Sequence, residues 1–257
     1  MAGGRMTWNV RAILKICDSF TRRPASLAPL RVTVDAGLTA IRKPEGILVF
    51  VENHNYREKE QVRVRLESPV FLPREITLSL AGPPEVTAVW MVPGECYPAP
   101  ASASRLYGSA PPGASLSFVF TEDTGALKLF GDYRSKDALV VCHPGILSLE
   151  GYILELEWSG RRERVTVVRQ SDKPRPDTGC YQTREEPEAG PYPKKDTSVR
   201  VVYCTVASEE GRYVFFFKNL PAPEAEGRIE LEAEGKRREA CVAVREGKNV
   251  RLDFSVT

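Results

Sequence analysis

The chain has 257 residues, 42% hydrophobic and 27% charged, with 36 Lys and Arg against 34 Asp and Glu. That length suggests one or two domains with cores of their own, and a net charge of +2 supplies no domain-wide basic field for nucleic acid. Two histidines leave little room for a multi-histidine metal site, and 20 Pro with 19 Gly are more turn chemistry than a helical protein needs.

The first residues, Met1 to Lys15, contain no apolar run of signal-peptide length, so the expected location is cytoplasmic at synthesis. No later stretch is long and apolar enough to predict a membrane span. From Arg11 onward the dominant period is two, the mark of strands with one buried face. Strands are expected over 11–16, 30–34, 47–51 and 61–67, where Val62, Val64 and Leu66 face one way and Arg63 and Arg65 the other. A further strand at 75–80 is followed by Ala81-Gly82-Pro83-Pro84, which reads as a domain junction.

Beyond it, strands are expected at 86–92, 115–120, 152–158 and 164–169, with 98–104 as a Pro-rich connector over a surface. Residues 171–198 carry five prolines and almost no aliphatic side chains, and read as a linker or polar excursion unable to order as a strand pair. Strands resume at 199–206, 213–218, 228–231 and 250–256. The fold class is all-β, built of tandem immunoglobulin-like sandwiches. One domain is expected at 8–82 and a second sandwich region at 85–257, either single or divided into 85–170 and 199–257.

Two segments echo one another. Glu45-Gly46-Ile47-Leu48-Val49-Phe50 and Glu210-Gly211-Arg212-Tyr213-Val214-Phe215 share E-G-x-x-V-F, and an Asn follows each, at Asn53 and Asn219. Each precedes an alternating strand, at 62–67 and 228–232, as two copies of one module would require. Gly46 and Gly211 can supply the positive φ of a tight connection.

Asp18-Ser19-Phe20-Thr21-Arg22-Arg23-Pro24, Leu30 to Asp35 and Arg42 to Phe50, together with Glu210 to Phe215, Asn219-Leu220-Pro221, Ile229 to Gly235 and Val244 to Phe254, resemble carboxypeptidase regulatory-like (transthyretin-like) domains. The resemblance covers about 8–80 and 199–257. It implies seven-stranded sandwiches used as rigid modules without catalysis, as spacers or ligand-binding units in secreted bacterial proteins or as parts of phage tails and contractile injection machines. The absence of a signal peptide favours the second setting.

Chemical alternatives find little support. The six cysteines lie at least 24 residues apart, which excludes local zinc spacings and reads as reduced thiols packed as small hydrophobes. Cys142 and His143 are adjacent, so on a strand they point to opposite faces and do not form a catalytic pair. His54 sits in a polar loop, and no G-x-S-x-G motif occurs. The chain ends Phe254-Ser255-Val256-Thr257, unlike the transthyretin-like hydrolases. Glu122-Asp123-Thr124-Gly125 with Asp132 does not match a calcium loop and reads as a hairpin turn. Lys15 lacks the strand Asn that an isopeptide bond requires.

What remains is surface. Arg161 and Arg162 sit at a Gly-led turn, as do Lys236-Arg237-Arg238, all flanked by acids. In Tyr213 to Phe217, alternation puts Tyr213, Phe215 and Phe217 on one face and Phe216 on the other. Phe216, Tyr213, Arg161 and Arg162 are the candidate partner contacts. The expectation is a non-enzymatic structural or adaptor protein without cofactor or metal, a component of a phage tail-like particle or contractile injection system. Its partners are protein subunits of a larger assembly, with homo-oligomerisation open and no nucleic acid. A carbohydrate- or cell-surface-binding module protein, with a surface glycan as ligand, is the alternative.

Overall fold

The computed structural model describes residues 9–27, 29–34, 37–122, 127–134, 137–146, 148–188 and 191–254, which form nineteen strands and no helix. Two compact units divide the chain, Met1–Pro98 and Ala99–Thr257.

The first unit contains β1 (Val10–Asp18), β2 (Arg31–Val34), β3 (Leu38–Lys43), β4 (Ile47–Glu52), β5 (Gln61–Glu67), β6 (Arg74–Ser79) and β7 (Val86–Met91). They form two sheets, β3-β4-β1-β7 and β2-β5-β6. Alternation drives Val62, Val64 and Leu66 of β5 into a core shared with Leu14, Ile16, Leu48 and Phe50. Each such side chain contributes about 1.5–3 kcal/mol by leaving water. Strand β1 is the keystone, antiparallel to β4 and parallel to β7. Gly46 closes the β3–β4 connection at φ +74°, and a Cβ there would stand 2.4 Å from the Ile16 carbonyl oxygen.

The junction expected at 81–84 therefore falls inside the first unit. The strand after it, β7, pairs with β1 from Ile13↔Val86 to Asp18↔Met91 and buries Val89 and Met91. Turn chemistry marks the end of a strand but not whether the next one returns to the same sheet, and the seam lies at Pro98/Ala99.

The second unit contains β8 (Ser104–Ser109), β9 (Ser115–Phe120), β10 (Lys128–Leu129), β11 (Leu139–Cys142), β12 (Ile153–Trp158), β13 (Arg161–Arg175), β14 (Thr178–Thr183), β15 (Ser198–Val206), β16 (Arg212–Phe217), β17 (Glu224–Ala233), β18 (Lys236–Arg245) and β19 (Asn249–Arg251). One sheet is β16-β8-β19, with β8 antiparallel to β16 and parallel to β19. The opposing sheet carries β15, β9, β17 and β18 side by side, and Phe118, Phe215, Phe217, Ile229 and Leu231 lie in the core between.

Lettered a to g in chain order, β1 to β7 match β8, β9, β15, β16, β17, β18 and β19. In both modules strand a lies between an antiparallel d and a parallel g, while b, e and f form the other sheet. Strand c alone differs, because β3 pairs with d whereas β15 pairs with b. The E-G-x-x-V-F echo falls on the two d strands, and Gly211 repeats φ +74° with its Cβ position 2.6 Å from the Ala110 carbonyl oxygen. The second module's first strand thus begins at Ser104, neither at 85 nor at 199, and neither 85–170 nor 199–257 is a unit by itself. Its a and b strands are separated from the rest by residues 121–197.

That insertion carries its own core, in which Leu139, Val141, Leu154, Leu156, Val165, Val167, Tyr181 and Tyr192 are buried. Its strands extend the large sheet from the module's β15 in the order β12-β13-β14-β11-β10. The turn Ser159-Gly160, both residues at positive φ (50° and 75°), makes β12 and β13 a two-residue hairpin. Residues 171–198 are ordered in part as the strand pair thought out of reach, since β13 runs to Arg175 and pairs with β14 through three register shifts. Tyr181 and Tyr192, 0% and 1% exposed, supply with their rings the apolar area that aliphatics do not. The cysteines are free, but only Cys17 is buried; Cys96 and Cys241 are exposed.

Candidate functional site

In a two-sheet sandwich the outward face of each sheet ordinarily meets water, and strand alternation places polar residues there. In β17, Ile229 and Leu231 point into the core, so Arg228 and Glu230 point outward. The insertion covers them. Strand β15 pairs with β12 through residues 198–202 and with β9 through 203–206. The β12–β13 hairpin then sets Glu155 and Arg164, directly opposed across its two strands, against the outward face of β9 and β17.

The contacts form one ionic network. A guanidinium nitrogen of Arg228 donates to both oxygens of Glu155, at 2.7 and 2.6 Å. Arg164 donates to Glu230 at 2.6 Å and to the Ser117 hydroxyl at 3.0 Å, and lies 3.5 Å from Glu155. Arg237 reaches Glu230 at 2.5 Å, and Glu239 lies 3.9 Å from Arg228. Arg228 Nε sits 3.0 Å from Glu230 Oε1 but forms no hydrogen bond with it, so that contact is ionic only. Three arginines balance three glutamates, which allows Glu155, Arg228 and Glu230 to be buried at 2%, 5% and 4% exposure. Burial works against the charge on Glu230, but Arg164, Arg237 and Arg228 outweigh it and hold the carboxyl below its ordinary range. Arg228 is likewise pushed up, with burial overcome by Glu155, Glu230 and Glu239. Beside the network, Glu157 is held low against burial by Arg200 and Arg162.

Arg161 and Arg162 stand at the tip of this same hairpin, exposed, with Arg162 Nε 3.4 Å from Glu157. Phe216 is half-buried on the outward face of β16, with the Arg105 guanidinium 5.5 Å from its ring centroid. Tyr213 departs from its expected role. It is 4% exposed, and its hydroxyl donates to the Leu252 carbonyl at 2.6 Å. Burial, then Asp253, pushes that phenol up. Alternation had already placed Tyr213 with Phe215 and Phe217; the aromatic count drew attention to a core ring rather than to the polar residues of the e strand. No sequence signal distinguished Arg228 and Glu230 from any solvated strand face.

Cys142 and His143 are not brought together as a reactive pair. Cys142 Sγ faces an Asp177 carboxylate oxygen at 3.7 Å, whereas His143 is fully buried. Its Nδ1 lies 2.8 Å from the Ile146 carbonyl, which can only accept, so that nitrogen carries hydrogen. Nε2 is 2.7 Å from the Tyr181 hydroxyl, which in turn accepts the Leu149 N–H at 3.2 Å. His54 is exposed on its loop, and Asp132 accepts the Lys194 N–H. The Asp123–Gly125 turn lies outside the described residues. Among the described residues no three His, Cys, Asp or Glu side chains cluster to hold a metal, and no helix is long and apolar enough to cross a membrane. A polar cavity of about 420 Å³ opens on the insertion beside Tyr133, Asp137, Gln182, Thr183 and Glu186.

No family model matches the chain, and no curated protein matches it. Among solved structures it is similar to a chimeric titin Z1Z2-Z1Z2 tandem functionalized with a GRGDS peptide from fibronectin, at 6% identity and a TM-score of 0.16, over 97% of this chain and all of that one. A chimeric titin Z1Z2 functionalized with a KLER peptide from decorin matches at 8% identity and 0.16 over the same shares. The all-β sandwich assignment rests on the ladders of the chain itself.

Proposed function

We propose that this chain is a non-enzymatic structural or adaptor protein built from transthyretin-like sandwich modules, and that it serves as a subunit of a phage tail-like particle or contractile injection system. The observation that carries the reading is the use of a sandwich sheet face as a platform. In the second module, strands b and e receive a β-hairpin through a charge-balanced network, while their inner residues keep the core. A rigid module that leaves its sheet faces available for other β elements is suited to joining parts of an assembly. The repeated strand order supports two copies of one module, which agrees with the resemblance of 8–80 and 199–257 to carboxypeptidase regulatory-like domains. His143 fits the same reading, because its ring nitrogens are engaged by Ile146 and Tyr181 in the interior.

Size-exclusion chromatography with light scattering, with and without the products of the neighbouring genes, tests this. The expected result is a defined complex with tail, sheath or baseplate components. A strictly monomeric protein that ignores those products and binds arrayed glycans would overturn it in favour of a carbohydrate-binding role.

A further inference from the structure

The two modules differ most on one face. Strand e reads Arg63-Val64-Arg65-Leu66-Glu67 in the first and Arg228-Ile229-Glu230-Leu231-Glu232 in the second. The ladders confirm the alignment, since Glu67 lies opposite Arg31 and Glu232 opposite Ser115, each the first residue of its strand b. Arg63 is therefore the counterpart of Arg228, and Arg65 of Glu230. In the second module both positions are closed over by the insertion, with side chains 6% and 5% exposed. In the first, the side chains of Arg63 and Arg65 are 78% and 56% exposed, with Arg31 at 80% beside them.

We infer that the outward face of β2, β5 and β6 is a docking surface for an acidic β-hairpin of a partner protein. The second module displays the chemistry: Arg228 takes Glu155, and Glu230 takes Arg164, the residue opposite Glu155 in the hairpin. Arg65 stands where Glu230 stands, so the complementary hairpin carries a carboxylate at both cross-strand positions. The in-sheet pairs Arg63–Glu75 (4.0 Å), Arg65–Glu67 (2.9 Å) and Arg31–Glu67 (3.9 Å) do not oppose this. Arg228 likewise keeps Glu230 and Glu239 while it holds Glu155. Among the described residues of β2, β5 and β6, three arginines share two glutamates on this face, leaving one positive charge to steer an acidic partner. The inference rests on the adaptor reading and names the face and the chemistry through which it acts.

The test uses the full chain and a head-to-tail cyclised peptide of residues 151–166 carrying Arg164→Glu, which offers carboxylates at both positions. It is expected to bind the wild-type chain, to bind the Arg63→Glu/Arg65→Glu variant about tenfold or more weakly, and to cross-link to β5. A peptide with Glu155→Arg and native Arg164 should regain binding to the doubly reversed variant. Both substituted side chains are largely exposed, and an unchanged melting temperature confirms an intact fold. Failure of the reversal to weaken binding, absence of the swap rescue, or equal competition by linear poly-L-glutamate would overturn the inference. Light scattering on the same variant separates the two claims: a complex with neighbouring gene products that survives the reversal sinks the face and leaves the adaptor, whereas no complex even with wild type sinks the adaptor.

Discussion

Glu155 and Arg228 come from strands that are not neighbours in the sheet, yet one arginine nitrogen bridges both carboxylate oxygens at 2.7 and 2.6 Å with both side chains buried. Strand β15 pairs with β12 through 198–202 and with β9 through 203–206, which links the hairpin to the β9–β17 face, and the surrounding arginines and glutamates neutralise the cluster. Removing one partner leaves the other as an uncompensated buried charge. Glu155→Ala is expected to destabilise the second unit by about 3–5 kcal/mol, while Glu155→Leu combined with Arg228→Met loses far less. Urea unfolding of the two variants and the wild type measures the difference.

Acid should weaken the same interface. Glu230 and Glu157 have folded-state pKa values held below the ordinary range, so they stabilise the fold at pH values above their unfolded value. That contribution begins to fall near an unfolded pKa of about 4.3 and is lost as pH drops through the lower folded values. Melting temperature followed from pH 7 to pH 3 should decline steeply below about 4.3 in wild type. Glu230→Gln should start lower and show a flatter acid limb.

The interior of the insertion depends on a chain of hydrogen bonds through Tyr181. Tyr181→Phe removes the hydroxyl that meets His143 Nε2 and accepts the Leu149 N–H. A buried group left without its partner costs about 1–3 kcal/mol. Thermal unfolding should show that loss, with far-UV circular dichroism unchanged.

The equivalent turns before the two d strands can be compared directly. Ala at Gly46 or Gly211 incurs the left-handed penalty of about 1–2 kcal/mol, and its Cβ also meets a carbonyl oxygen at 2.4 or 2.6 Å. Gly82 has φ +83° but open space around it, so Gly82→Ala carries the first cost alone. Chemical denaturation should rank Gly46→Ala and Gly211→Ala well below Gly82→Ala in stability.

The module boundary is open to truncation. A fragment of residues 9–98 retains β7 and should unfold cooperatively, whereas 9–82 lacks the strand that pairs with β1 from Ile13 to Asp18 and buries Val89 and Met91. Amide exchange on the two fragments should show protected β1 amides only in the longer one.

Much of the strand content was legible because alternation is local. Val62, Val64 and Leu66 declare an inner face, and 115–120 was delimited as the fold has it. Strands with a weak apolar face were missed: β8 offers Leu106 as its single large aliphatic, and β18 opens with Lys236-Arg237-Arg238, which read as a turn. The insertion's hairpin of β13 and β14 was hidden because its apolar area lies in the tyrosines of a proline-rich stretch. Of the candidate contacts, Phe216 and the Arg161–Arg162 tip lie on outward positions, while Tyr213 turned inward with its own alternation.

Composition and period determined an all-β chain with glycine-led turns, and the repeated d and e strands already carried the duplication. Which strands pair was decided only in three dimensions, because strand partners are chosen across long stretches of chain and the same alternating pattern serves many neighbours. The outward arginine of strand e makes the point: Arg63 and Arg228 occupy matching places in pentapeptides of one alternating pattern, yet Arg63 is an exposed cation in the first module, and Arg228 is a buried ion-pair partner in the second because the β12–β13 hairpin folds over it.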